Sequence, residues 1–121
     1  MPSSHQITVL TLAARTAAVS SEPFAPGPSG AVNFVIDISS NTAVAALTVS
    51  FEGYDSTSGE WYTLLTTSAL STEATTSYAV GPNVAAVTNV SATRVVPVPF
   101  RASVAVADGK TCTYSIGAQS V

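Results

Sequence analysis

Apolar and polar residues alternate one for one along much of this chain, and no other feature constrains its fold as tightly. In "LTVSFE", Leu47, Val49 and Phe51 fall on one side while Thr48, Ser50 and Glu52 fall on the other. "FRASVAVAD" sets Phe100, Ala102, Val104 and Val106 against Arg101, Ser103 and Ala105, and "TCTYSIG" sets Cys112, Tyr114 and Ile116 against Thr111, Thr113 and Ser115. A period of two with Val, Thr, Ile and aromatic residues predicts strands that bury one face. Further strands are expected at "ITVLTLA" (Ile7–Ala13), "RTAAVS" (Arg15–Ser20), "VNFVIDI" (Val32–Ile38), "WYTLLT" (Trp61–Thr66), "TSYAV" (Thr76–Val80) and "TRVV" (Thr93–Val96). No segment carries a capped helical stripe.

The breaks between these runs agree with that reading. "DSTSG" (Asp55–Gly59) and "DGK" (Asp108–Lys110) have hairpin-turn chemistry, because Gly accepts positive φ and Asp bonds its own turn. "EPFAPGPSG" (Glu22–Gly30) is rich in Pro and Gly and predicts a long connection from one sheet to the other. The prolines of "VPVPF" (Val96–Phe100) donate no ladder hydrogen bond, so their strand lies at an edge or begins there. About eight short strands imply an all-β fold, an antiparallel β-sandwich of immunoglobulin-like or jelly-roll-like kind. One such domain is expected over residues 7–121, preceded by a polar N-terminal arm over residues 1–6.

Composition narrows the function classes. Hydrophobic residues are 46% of the 121, yet runs such as "AVAAL" (Ala43–Leu47) fall far short of the ~20 residues of a membrane helix. The N-terminal stretch lacks the basic segment of a secretory signal, so a soluble, non-exported chain is expected. Only 9% of residues are charged and the net charge is −3. The four cations, Arg15, Arg94, Arg101 and Lys110, are scattered, whereas phosphate-backbone binding needs them clustered. Neither nucleic acid nor membrane is an expected partner.

The reactive side chains are few. His5 is the single histidine and has no partner for acid–base or metal chemistry; a blue-copper centre needs two. Cys112 is the single cysteine and sits on an apolar strand face, where a thiol packs as a small hydrophobe. Glu52, Asp55 and Glu60 surround one hairpin, but on a polar face and in a turn, where carboxylates are ordinarily just solvated. "DSTSGE" is a poor calcium loop, with only hydroxyls and glycine between Asp55 and Glu60. "NVS" (Asn89–Ser91) matches a glycosylation triplet that is common by chance. Trp61 and Tyr62 point to opposite faces; Trp61 is expected in the core and Tyr62 outside. No catalytic, cofactor-binding or metal-binding residue is assigned, and no cofactor is expected.

The surface suggests a partner. Edge strands of soluble sandwiches are ordinarily guarded by lysines and other charges. Interface cores lack charge as this chain does. Much of the outer surface is therefore expected to be covered by copies of the chain or by a larger assembly.

Four stretches carry a resemblance to a known family: "LAARTAAVSSE" (Leu12–Glu22), "VNFVIDIS" (Val32–Ser39), "FEGYDSTSGEWYTLL" (Phe51–Leu65) and "VPVPFRASVAVADGKTCTYSIGAQ" (Val96–Gln119). They resemble small minor capsid or head-decoration proteins of long-tailed bacteriophages. The family's hairpin, approximately I-x-G-x-D-x-x-S-G-x-W/Y-x-x-L, is matched by Gly53, Asp55, Ser58, Gly59 and Trp61. Its later L-P-R-x-W-R-V is matched by Pro97 and Arg101, with Val98 in place of the arginine and Phe100 in place of the tryptophan. The resemblance implies a non-enzymatic virion structural protein on the outer capsid surface, partnered by the major capsid protein and self-associating as trimers. A tail-tube or tail-tip role and a surface carbohydrate-binding module are the competing expectations.

Overall fold

The computed structural model of the chain describes residues 5–41, 47–107 and 110–120, without the side chains of His5 and Asn41. Nine strands run in the order β1 (His5–Arg15), β2 (Val19–Ser20), β3 (Val32–Asn41), β4 (Leu47–Asp55), β5 (Glu60–Thr66), β6 (Thr75–Gly81), β7 (Ser91–Thr93), β8 (Phe100–Val106) and β9 (Cys112–Ser120). They form a five-stranded sheet, β1-β9-β3-β6-β7, packed on a four-stranded sheet, β2-β8-β4-β5. All pairings are antiparallel except β6–β7. Only β4–β5 and β6–β7 are joined within a sheet; the other connections cross between sheets. The expected all-β sandwich is the fold.

Alternation in the sequence becomes the inward and outward faces of the strands. Leu47, Val49 and Phe51 of β4, Phe100, Ala102 and Val104 of β8, and Cys112, Tyr114, Ile116 and Ala118 of β9 are all buried. Aromatic rings join the two sheets. Phe34 of β3 stacks on Phe51 of β4 with centroids 3.9 Å apart and meets Phe100 of β8 edge-on at 5.8 Å. Tyr78 of β6 closes on Phe51 at 6.1 Å, and Phe24 on Phe100 at 6.3 Å. Two buried hydroxyls tie the ladders: Thr67 Oγ1 accepts from the Val49 amide, and Ser21 Oγ from the Ala102 amide.

The proline-rich connection Glu22–Gly30 does cross between sheets, from β2 to β3. The buried Ser120 hydroxyl holds it, accepting from the Gly27 amide and donating to the Ala31 carbonyl. The prolines of "VPVPF" precede β8, an interior strand, and so occupy its beginning rather than an edge.

Other expectations need correction. Ile7–Ala13 and Arg15–Ser20 are not two strands; β1 runs unbroken through Arg15, and only Val19 and Ser20 pair again. Two bulges, at Val9 and between Leu10 and Ala13, let β1 follow β9 for that length. β1 takes in His5 and Gln6, which were assigned to the arm, and pairs them with Ser120 and Gln119; the first four residues lie outside the described residues. "DGK" is not a hairpin, because β8 and β9 belong to different sheets; Asp108 and Gly109 are outside the described residues. Ala43–Ala46 of "AVAAL" are also outside, and Leu47 opens β4. "TRVV" yields only the end of β7, and beyond Thr93 the chain becomes a strap pinned by single bonds. The Arg94 amide donates to Gly81 at 3.1 Å, the Val96 amide to Gly30 at 2.9 Å, and the Tyr54 amide to Pro99 at 3.2 Å.

Truncating Phe34 to Ala removes the ring that Phe51 and Phe100 of the opposite sheet both touch. The expected loss is ~3–5 kcal/mol of unfolding free energy, measured by urea denaturation; a loss below ~1 kcal/mol would contradict the inter-sheet role given to it.

Candidate functional site

The β4–β5 hairpin is built by Asp55 and Gly59. The Asp55 carboxylate accepts from Ser58 Oγ at 2.7 Å and from the amides of Thr57 and Ser58 at 3.2 and 3.3 Å. Its carbonyl takes the Gly59 amide at 2.9 Å, and Gly59 has a φ of 75°, which glycine adopts without strain. The Ser58 hydroxyl above all, and then the Thr57 amide, hold the Asp55 carboxyl below its ordinary value. The other two carboxylates have separate roles. Glu52 binds Arg101 Nε at 2.9 Å, and Glu60 pairs across the hairpin with Asp55. No group of three or more His, Cys, Asp or Glu among the described residues is placed to hold a metal ion.

Trp61 is not a core residue. Strict alternation from the buried Leu65 would put it inside, but a bulge at Leu64 intervenes: Phe51 pairs with Leu65, and Glu52 already pairs with Thr63. Leu64 and Leu65 are both buried, and every residue before them changes face. Trp61 thus lies on the outer face beside Tyr54, with ring centroids 5.1 Å apart. The Arg101 guanidinium covers the Trp61 ring at 4.1 Å while its Nε holds Glu52. Charge, guanidinium and two aromatic rings therefore form one continuous patch across β8, β4 and β5.

The same bulge turns Tyr62 to the inner face, where it pairs with Gly53 and stays exposed because it lies past the core. A Cβ at Gly53 would overlap the Pro97 ring and come within 3.1 Å of the Tyr62 ring. Gly53 is therefore the gap through which the strap lies against the hairpin. The strap leaves Val95 63% and Val98 69% exposed beside it. Past the hairpin end, Tyr54, Asp55, Ser58, Glu60 and Tyr62 line an open groove of about 480 Å³.

The other candidates take structural positions. Cys112 is fully buried and unpaired, and burial pushes its thiol up. Tyr114 is buried with its hydroxyl unbonded; burial raises its phenol, and Arg15, 4.8 Å from its ring, opposes that rise. The Asn89 side-chain amide donates to the Thr66 carbonyl at 2.8 Å. The His5 side chain lies outside the description.

No family model and no curated protein matches the chain.

Two outcomes follow from this geometry. Gly53→Ala must displace Pro97, so a loss of ~1–3 kcal/mol is expected; an unchanged midpoint in thermal denaturation would show that the strap does not rest there. For Asp55, whose carboxyl is lowered on folding, the hairpin bonds are fully present above the ordinary value of ~3.9 and are lost as pH falls through the lower folded value. A carboxyl NMR titration should give a midpoint below ~3.9, and one above it contradicts the turn bonding.

Proposed function

We propose that this chain is a non-enzymatic structural protein of a long-tailed phage virion. In this reading it decorates the outer capsid surface and braces the major capsid lattice. The observation that carries the reading is a convergence. Two of the resembling stretches, distant in sequence, interlock in space: Pro97 packs where Gly53 lacks a side chain, and Arg101 covers Trp61. The family-like residues thus pack on both faces of one hairpin, with Arg101 and Trp61 on its outer surface, rather than standing as isolated turns.

That surface has the chemistry of a protein contact. Aromatic residues and arginine are enriched where proteins meet, and truncating them costs most. Tyr54, Trp61 and Arg101 sit together on the outer face, and the strap leaves Val95 and Val98 exposed. The three arginines each bond the protein's own groups, Arg15 and Arg94 at carbonyls and Arg101 at a carboxylate, on separate strands and loops, which supports a partner other than packaged DNA. Docking of this patch, repeated over many equivalent lattice positions, would gain strength through multivalency.

A carbohydrate-binding role is the second reading, favoured by the groove between Tyr54 and Tyr62 with Glu60 at its side. Titrating soluble cell-wall glycans separates the two, since only this reading expects binding that Tyr62→Ala abolishes.

The main reading is tested by adding the labelled chain to particles assembled without it and imaging them. Label should lie over the heads, and Trp61→Ala should weaken occupancy by about tenfold or more. Label along the tail, or none on the particles, overturns it.

A further inference from the structure

Four strands form the rims of the two sheets: β1 and β7 in the larger, β2 and β5 in the smaller. A free rim offers unpaired amides and carbonyls to any extended chain. Two of the four are closed by the protein itself, and a third is too short to template a strand. Along β5, the Thr63 carbonyl accepts from Arg94 Nη1 at 3.1 Å and the Thr66 carbonyl from Asn89. β7 is three residues long and covered by its own preceding loop, through the Val87–Ser91 bridge and the bonds from Ser91 Oγ to Ala85 and Thr93 Oγ1 to Val84. β2 has two residues and is followed by Glu22 and Pro23, a charge and a residue without an amide.

β1 differs. Its C-terminal half is plugged, because Arg15 donates to the carbonyls of Thr11 at 2.7 Å, Tyr114 at 3.1 Å and Ala13 at 3.5 Å across the second bulge. Its N-terminal half has no such plug: no described side chain bonds the backbone of Gln6–Leu10, and the stretch contains no Pro, Gly or charge. Leu12, just beyond, is 57% exposed.

We propose that the stretch of β1 between His5 and Leu10 pairs antiparallel with the same stretch of a second copy about a twofold axis. This would join two five-stranded sheets into one. Isologous pairing brings a strand against itself, so any charge in it would face its own kind. β1 has none before Arg15, and Arg15 is folded back onto carbonyls. A second copy would also cover Leu12. Head-to-tail edge pairing needs two different open rims, and β1 is the only long unplugged one among the described residues. Edge pairing therefore stops at two copies, and a threefold assembly would have to use sheet faces instead. The inference does not depend on which particle the chain serves.

Sedimentation of the full chain across the micromolar range should show a species of twice 12.2 kDa. The double variants Gln6→Lys/Thr8→Lys and Gln6→Glu/Thr8→Glu alter exposed side chains only, and each should sediment as a monomer. Mixing them should restore the pair, because opposite charges then meet; a misfolded variant would not be rescued. A wild-type monomer, a wild-type species of three or more copies, a double variant that still pairs alone, or a mixture that stays monomeric would each overturn the proposal.

Discussion

The stack of Phe34 on Phe51 fixes the rest of the molecule, because it sets how the two sheets face each other. With those rings and Phe100 inside, the parity of β3, β4 and β8 is decided, and a shift of one residue in any of them would turn its buried face outward. The outer patch is a consequence: Glu52, Tyr54 and Arg101 are outside because Phe51, Gly53 and Phe100 are inside. Burial at the centre thus positions the surface to which a function is assigned.

Scarcity of charge goes with a defined structural position for each arginine. Arg15 fills the gap that a bulge leaves in the β1–β9 ladder, Arg94 closes a carbonyl on β5, and Arg101 bridges Glu52 and Trp61. A guanidinium suits this work because its donors are fixed in a planar fork and its charge persists at any physiological pH. The β5 rim and the C-terminal half of the β1 rim are therefore guarded from within the protein. Lysines extending into solvent, the guard that the composition lacks, are not the device used here.

Much of the fold was legible in the sequence because burial writes a period of two wherever a ladder is regular. Leu47–Phe51, Phe100–Val104 and Cys112–Ile116 needed only that pattern. Trp61 was misread because the period assumes an unbroken ladder, and the bulge at Leu64 leaves no mark beyond two adjacent leucines. Pairing partners were no more visible: Asp108–Lys110 has the residues of a turn, but turn chemistry is silent on whether the next strand returns to the same sheet. Asp55, Ser58 and Gly59 were readable because their bonds are local. The contacts of Pro97 with Gly53 and of Arg101 with Trp61 were not, since long-range packing has no local signature.

The position of β9 has a consequence for how the chain acquires its shape. β9 is the last described strand in sequence, yet it lies between β1 and β3 in the larger sheet. On the ribosome, β1 and β3 must therefore wait, with apolar faces uncovered, until their shared neighbour has emerged from the exit tunnel. Closing so long a loop makes nucleation slow and late. Assembly of the larger sheet is thus a late event in folding, and the chain still lacking β9 is the species most in need of a chaperone.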